Sequence, residues 1–291
     1  ALAEKKLVRL EEREVYRRPE FEADAKSRIK HPLNAEQQSA FEEIVQGVDE
    51  QRFVNFLLHG ITGSGKTEVY LQAIEHAIER GRDAIILVPE ISLTPQTVGR
   101  FLARFDERIA VLHSGLGSGE RYDEWRRASR GEVRIVVGAR SAVFAPLPNL
   151  GIIVVDEEHD TSYKQGETPR YHARDVAIMR AKQSDAVCVL GSATPSVESS
   201  FNAARNKSRL LTLANRATSG RLPEVCLVDM REETRAQGGQ VLLSRILEDE
   251  VKARIAKQEQ VILLLNRRGH SPFVLCPMCG WVAECNDCQV S

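Results

Sequence analysis

Aromatic side chains are scarce in this 291-residue sequence, at 5% of the total, so any place where they gather beside cations stands out. Long apolar runs are missing too. Nothing approaches the roughly 20 consecutive apolar residues of a bilayer-crossing helix, and no membrane partner is expected. Excess charge of either sign is also absent: 40 Lys and Arg against 41 Asp and Glu leave a net charge of -1. No global field therefore draws a polyanion, and any nucleic-acid contact has to be local. The opening residues hold neither an initiator Met nor the apolar stretch of a secretory signal. The chain is expected to be a piece of a longer cytoplasmic protein. It carries no fixed-period repeat and no low-complexity tract. Of six cysteines, Cys188 and Cys226 stand alone in apolar stretches and are expected to be buried. Cys276, Cys279, Cys285 and Cys288 crowd the last sixteen residues as two CxxC pairs. In a reducing compartment that pattern favours metal over disulfide.

What is present suits one large α/β domain plus part of another, with 42% hydrophobic and 28% charged residues. Residues 1–31 mix charges of both signs and read as the tail of an upstream domain and a linker. From residue 32 onward, short β-branched runs at 53–60, 84–90, 108–115, 133–140, 151–158 and 186–194 alternate with helical patterns such as 67–81. Runs that are apolar on both faces, separated by helix-length intervals, predict a doubly wound parallel sheet covered on two sides, ending near residue 215. Residues 216–275 read as the beginning of a second α/β unit: a strand near 224–230, a helix over 244–258 and a strand over 261–266. Two strands cannot close a core alone.

Two motifs carry the chemistry. Gly60-Ile-Thr62-Gly63-Ser64-Gly65-Lys66-Thr67 fits G-x-x-x-x-G-K-[ST] between a strand and a helix. There the backbone bends so that several N–H groups converge on phosphate oxygens at a helix N-terminus. Lys66 is expected to reach the β and γ phosphates of ATP, and the Thr67 hydroxyl to ligate Mg2+. Ninety residues on, Asp156 and Glu157 end a buried strand, at the edge where such sheets bind ligands. Asp156 is expected to hold the magnesium, and Glu157 to polarise the attacking water.

Other segments end strands on the same edge. Thr94 and Gln96 in VPEISLTPQ, Arg140 and Ser141 in GARSAVFAP, and Ser192 and Thr194 in GSATPS supply hydroxyls, an amide and a guanidinium suited to phosphodiester contacts or to joining the nucleotide site to a cleft. The stretch 160–175, DTSYKQGETPRYHARD, places Tyr163 and Tyr171 beside Lys164, Arg170 and Arg174. Aromatics could stack on splayed bases there while cations meet phosphates. The alternative is a loop whose tyrosines pack against the domain.

In this order, GITGSGKT, VPEISLTPQ, GARSAVFAP, DEEH, GSATPS and LNRRGHSP resemble the motif series of superfamily 2 helicases, and more narrowly that of the primosomal replication-restart helicases. The resemblance covers about residues 31–291. It implies a RecA-like first lobe over 32–215, the start of a second RecA-like lobe, and a truncated zinc module over 276–291. It further implies an ATP-dependent 3′-to-5′ DNA helicase working at stalled, forked DNA, with single-stranded DNA, single-stranded-DNA-binding protein and helicase-loading primosome proteins as partners. Residues 1–18 then resemble the end of a winged-helix DNA-binding domain.

By that resemblance Gln37 reads adenine, although Asn34 and Gln37 also have the spacing of a helix capping box. His159 and His172 join a relay that couples DNA on the 160–175 loop to hydrolysis, and Arg267 and Arg268 of NRRG contact DNA or the facing lobe. Only five residues separate Cys279 from Cys285, too few for an ordinary single zinc site. The family pattern instead implies two Zn2+ ions shared with later cysteines, so the pairs here are half-sites, unless all four thiolates gather one ion. The family's catalytic arginine falls past residue 291, and the piece is expected to bind nucleotide but hydrolyse it slowly. A nucleotide-dependent DNA-binding or regulatory module without strand separation, and a zinc-mediated docking module, are the competing readings.

Overall fold

A computed structural model describes residues 17, 30–105, 108–113, 115–217, 224–237 and 242–264. The chain divides into two compact units, Ala1–Arg221 and Leu222–Ser291.

The first unit is built on seven parallel strands in the order β3-β4-β2-β5-β6-β1-β7. They are β1 (Val54–Gly60), β2 (Asp83–Leu87), β3 (Ile109–Leu112), β4 (Ile135–Gly138), β5 (Leu150–Val155), β6 (Val187–Ser192) and β7 (Arg209–Leu213). Helix α1 (Ala35–Asp49) precedes β1, and α2 (Lys66–Glu79), α3 (Pro95–Phe105), α4 (Ser118–Ser129), α5 (Ala173–Gln183) and α6 (Val197–Ala204) make the crossovers, except that β4 passes to β5 through a short 3-10 turn, Arg140–Phe144. All six strands anticipated in the sequence form. The seventh, β7, was not anticipated, because its alternation of exposed and buried residues suits an edge position rather than the continuous apolar run of a central strand.

Successive strand residues point to opposite faces, which produces two cores. Phe56, Leu58, Ile86 and Val154 pack under α1 and α2, while Leu57, Ile85, Ile153 and Tyr163 belong to the opposite face. Each fully buried Ile, Leu or Val contributes about 1.5–3 kcal/mol, which explains why the central strands tolerate almost no polar residue. At the open edge, the Glu124 carboxylate accepts from the Val111 N–H of β3 at 3.1 Å, satisfying a group that edge strands otherwise leave exposed.

In the second unit the described residues form α7 (Met230–Gln237) and α8 (Arg245–Ala256). The expected helix is present, but 224–229 and 261–264 carry no strand. A strand gains its hydrogen bonds only from a neighbour, and neither segment has a ladder partner among the described residues. Cys226, expected to be buried, is exposed for the same reason, whereas Cys188 lies inside β6 as anticipated. Residues 1–16 and 18–29, Arg267, Arg268, Cys276, Cys279, Cys285 and Cys288 fall outside the described residues.

Candidate active site

β1 ends at Gly60 and α2 begins at Lys66, so the glycine-rich turn carries the chain from the sheet into a helix N-terminus. Gly63 and Gly65 both have φ +82°, a conformation that side-chain-bearing residues rarely adopt. A Cβ at Gly65 would also collide with the Gln37 amide. Lys66 is buried, its ammonium donating to the Gly60 carbonyl at 2.7 Å. Ser64 Oγ is buried with no hydrogen-bond partner.

Gln37 has a different employment from the one the resemblance implies. Its Nε2 donates to the Ser64 carbonyl at 2.8 Å, and its Oε1 accepts from the Asn34 N–H at 2.8 Å. The Asn34 side chain reciprocates on the Gln37 N–H, completing the capping box of α1. Both atoms that would read adenine are thus engaged, and Gln37 ties α1 to the phosphate loop.

Opposite the loop, β5 delivers Asp156. Burial and the charge of Glu157 push its carboxyl up to about 6, against the opposing influence of Lys66, the Glu157 N–H and the Tyr70 phenol. Glu157 has φ +44° and is partly exposed. His159 Nδ1 lies 2.7 Å from Ser192 Oγ and 3.6 Å from the Glu157 carboxylate. Ser192 Oγ also accepts from the Thr194 N–H at 3.0 Å, so the ends of β5 and β6 are joined through His159, Ser192 and Thr194.

The residue between these acids and His159 escaped the sequence reading. Glu158 is fully buried and accepts four hydrogen bonds: from the Ser196 N–H at 2.7 Å, Ser196 Oγ at 3.0 Å, Ser199 Oγ at 2.8 Å and Arg174 Nη1 at 3.0 Å. This network ties the carboxylate strand to the start of α6 and to the first turn of α5. A run of acids offers no signal that one member points inward; only a serine pair at 196 and 199, spaced as a helix cap, hinted at it.

The 160–175 segment separates into two groups. Tyr163, expected to stack on bases, is completely buried, and its hydroxyl donates to the Asp156 carbonyl at 2.6 Å. Arg174, expected on phosphates, is buried against Glu158 and also donates to Asp175. In both cases an inward partner outcompetes solvent. Lys164 and Arg170 are exposed, Arg170 donating to the Gly166 carbonyl at 3.1 Å. Tyr171 packs edge-on against Phe144 with ring centroids 5.1 Å apart, and Phe144 is largely exposed. His172, half-buried, has a pKa lowered first by desolvation and then by Arg174. Arg140 does not project outward: its guanidinium donates to the Ser162 and Lys164 carbonyls at 3.2 and 3.0 Å and holds the loop in place. Ser141 is exposed. Thr94 caps α3 through the Thr97 N–H, and Gln96 lies in the first turn of that helix.

These residues fit a magnesium nucleotide. The orphan Ser64 hydroxyl, the left-handed glycines and the first N–H groups of α2 form a cradle for anionic oxygens. Thr67 is exposed at its rim, and Asp156 faces Lys66 across it. Among the described residues no three His, Cys, Asp or Glu gather into a cation site. Magnesium at such sites needs only one or two protein ligands, with phosphate oxygens and water completing the octahedron.

Known proteins align with this arrangement. The DEAD/DEAH box helicase family matches residues 34–201. Replication restart protein PriA of Bacillus subtilis is 52% identical over 290 residues, an alignment covering all of this chain and 36% of that protein. The PriA of a Synechocystis species is 47% identical over 299 residues, covering all of this chain and 35% of its own length. The chain therefore spans about a third of the curated relatives it matches. A solved structure of RecG bound to a three-way DNA junction shares the fold, with a TM-score of 0.50 at 23% identity over 68% of this chain and 26% of RecG.

Proposed function

This chain belongs to the DEAD/DEAH box helicase family, and we propose that it is the ATP-binding lobe of a DNA helicase that acts in replication restart. One observation carries the reading: a single sheet edge brings Lys66, Asp156 and the His159–Ser192 contact together beside a loop that presents Lys164, Arg170 and Tyr171. Bound ATP and its magnesium would supply the phosphoryl group and the charge that neutralises its departure. The protein's part is positional. Lys66 would leave the Gly60 carbonyl for the phosphates, Thr67 and Asp156 would hold the metal, and Glu157 would orient the attacking water.

Nucleic acid meets the other side of the same edge. Tyr171 and Phe144 offer ring faces to unstacked bases, and Lys164 and Arg170 offer charge to phosphates. A shift of the loop reaches the catalytic acids along two paths, Tyr163 to the Asp156 carbonyl and Arg174 to Glu158. The likeness to replication restart proteins supports forked and single-stranded DNA as substrate. The motif resemblance supports a polarity of 3′ to 5′ and partnership with single-stranded-DNA-binding and helicase-loading proteins. Zinc follows from the cysteine pairs.

The test is a titration of wild type and Lys66→Ala with a fluorescent ATP analogue, with and without a single-stranded oligonucleotide. Wild type should bind, and the oligonucleotide should change its affinity. Lys66→Ala should bind at least about tenfold more weakly. Equal affinity for wild type and variant, or none for wild type, removes the proposal.

A further inference from the structure

Tyr70 lies four residues beyond Lys66, one turn further along α2 and on the same face. It is among the largest fully buried side chains of the molecule, yet its hydroxyl makes no hydrogen bond of normal length. The hydroxyl lies against Gly191 of β6, and Leu190 before it pairs with Val155 of β5, so the phenol stands beside the strand end that carries Asp156, whose charged form it favours as Lys66 does. Its own pKa is raised, by burial first and then by Asp156 and Glu157.

The slot it occupies belongs to another motif. Gly191, in β6, lies where any added Cβ would land on the Tyr70 hydroxyl and crowd its ring. The Gly191 carbonyl in turn accepts from the Glu158 N–H at 3.0 Å. Glycine at 191 therefore opens the space through which a polar group on the phosphate-loop helix reaches the end of β5. A buried hydroxyl without a partner is costly, and a phenylalanine would fill the apolar volume without that penalty. The oxygen needs a reason to be there.

We propose that Tyr70 is a positioning residue for Asp156, a reserve donor that holds the carboxylate in place for magnesium when Lys66 transfers to the nucleotide phosphates. Without nucleotide, Lys66 offsets the negative charge of Asp156. Once the ammonium turned to phosphate, Asp156 would lose a partner while still partly buried, which carboxylates resist. A neutral phenol cannot follow the phosphates. It would stay and complete its bond to the acid, whose Oδ1 already accepts from the Glu157 N–H at 3.1 Å.

This rests on the nucleotide-binding role proposed above, and the experiment separates the two. Wild type and Tyr70→Phe are titrated with a fluorescent ADP analogue, first in EDTA and then across a series of MgCl2 concentrations, alongside thermal unfolding of both proteins without ligand. The expected result is an unchanged affinity in EDTA, a melting temperature equal to or above that of wild type, and a half-saturating MgCl2 concentration raised about tenfold in the variant. An unchanged magnesium requirement overturns the inference. So does a parallel fall in melting temperature and in both affinities, which would mark a packing role. If wild type binds no nucleotide under any condition, the nucleotide-binding role itself fails and the inference falls with it.

Discussion

Glu158 and Arg174 are paired inside the protein, Nη1 to Oε2 at 3.0 Å, with the acid fully buried and the guanidinium side chain 11% exposed. The pair links the residue after Asp156 and Glu157 to the first turn of α5, next to the loop that faces solvent with Lys164 and Arg170. Removing one member of a buried ion pair leaves the other charge uncompensated. Arg174→Ala should lower stability by about 2–4 kcal/mol in urea unfolding, the three serine-derived donors to Glu158 keeping it from the upper extreme. A loss under about 0.5 kcal/mol, the size of an exposed pair, would mean that the pair is solvated.

Gln37 should matter before any nucleotide arrives. Its amide serves both the α1 capping box and the Ser64 carbonyl, so Gln37→Ala should destabilise the empty protein by about 1–2 kcal/mol. An adenine reader with no other duty would show its effect only when nucleotide is bound. Unfolding curves of the two proteins without ligand decide between them.

The two tyrosines of the loop should separate in solution. Tyr163→Phe removes only the donor to the Asp156 carbonyl and should reduce stability by about 1 kcal/mol while leaving oligonucleotide affinity unchanged. Tyr171→Ala should do the reverse, weakening oligonucleotide binding about fivefold or more, as loss of one stacked base does. Fluorescence anisotropy with a labelled single strand, run beside unfolding, measures both; interchanged phenotypes would reassign the residues.

Asp156 makes the metal-free protein sensitive to pH. Its carboxyl is raised to about 6 by burial and by Glu157, against about 3.9 in an unfolded chain. Between those values the folded state holds a proton that the unfolded state has lost. Stability from this group is thus fully present below about pH 4 and is lost as pH climbs through 6, by about 2–3 kcal/mol. Asp156→Asn in EDTA should remove that downward slope and be the more stable protein at pH 7. Parallel stability profiles for the two from pH 4.5 to 7 would show that the carboxyl is not raised.

Much of the site was legible because its chemistry is tied to local backbone form. The phosphate loop needs glycines at fixed offsets between a strand and a helix, and Gly63 and Gly65 adopt the left-handed conformation that this requires. Asp156 and Glu157 follow a run of β-branched residues that could only be a central strand. The misreadings share one cause. Tyr163, Arg174 and Arg140 were placed outward because residues of those types between turn formers usually face solvent. Each instead found a buried or backbone partner from another element. Tyr70 was hidden the opposite way, as an ordinary apolar position in an amphipathic helix.

Local pattern alone therefore settled the parallel α/β architecture, six of its seven strands, the glycine-rich turn and the positions of the two acids, since each depends on periodicity or on a conformational demand within a few residues. Which polar groups face inward was decided by tertiary structure. Glu158 meets Arg174 sixteen residues away and Ser199 forty-one residues away, and the Tyr70 slot exists because Gly191, on another strand, has no side chain. Hydrogen-bond partners so distant in sequence are chosen by how the sheet stacks its strands, and a linear pattern carries no record of that choice.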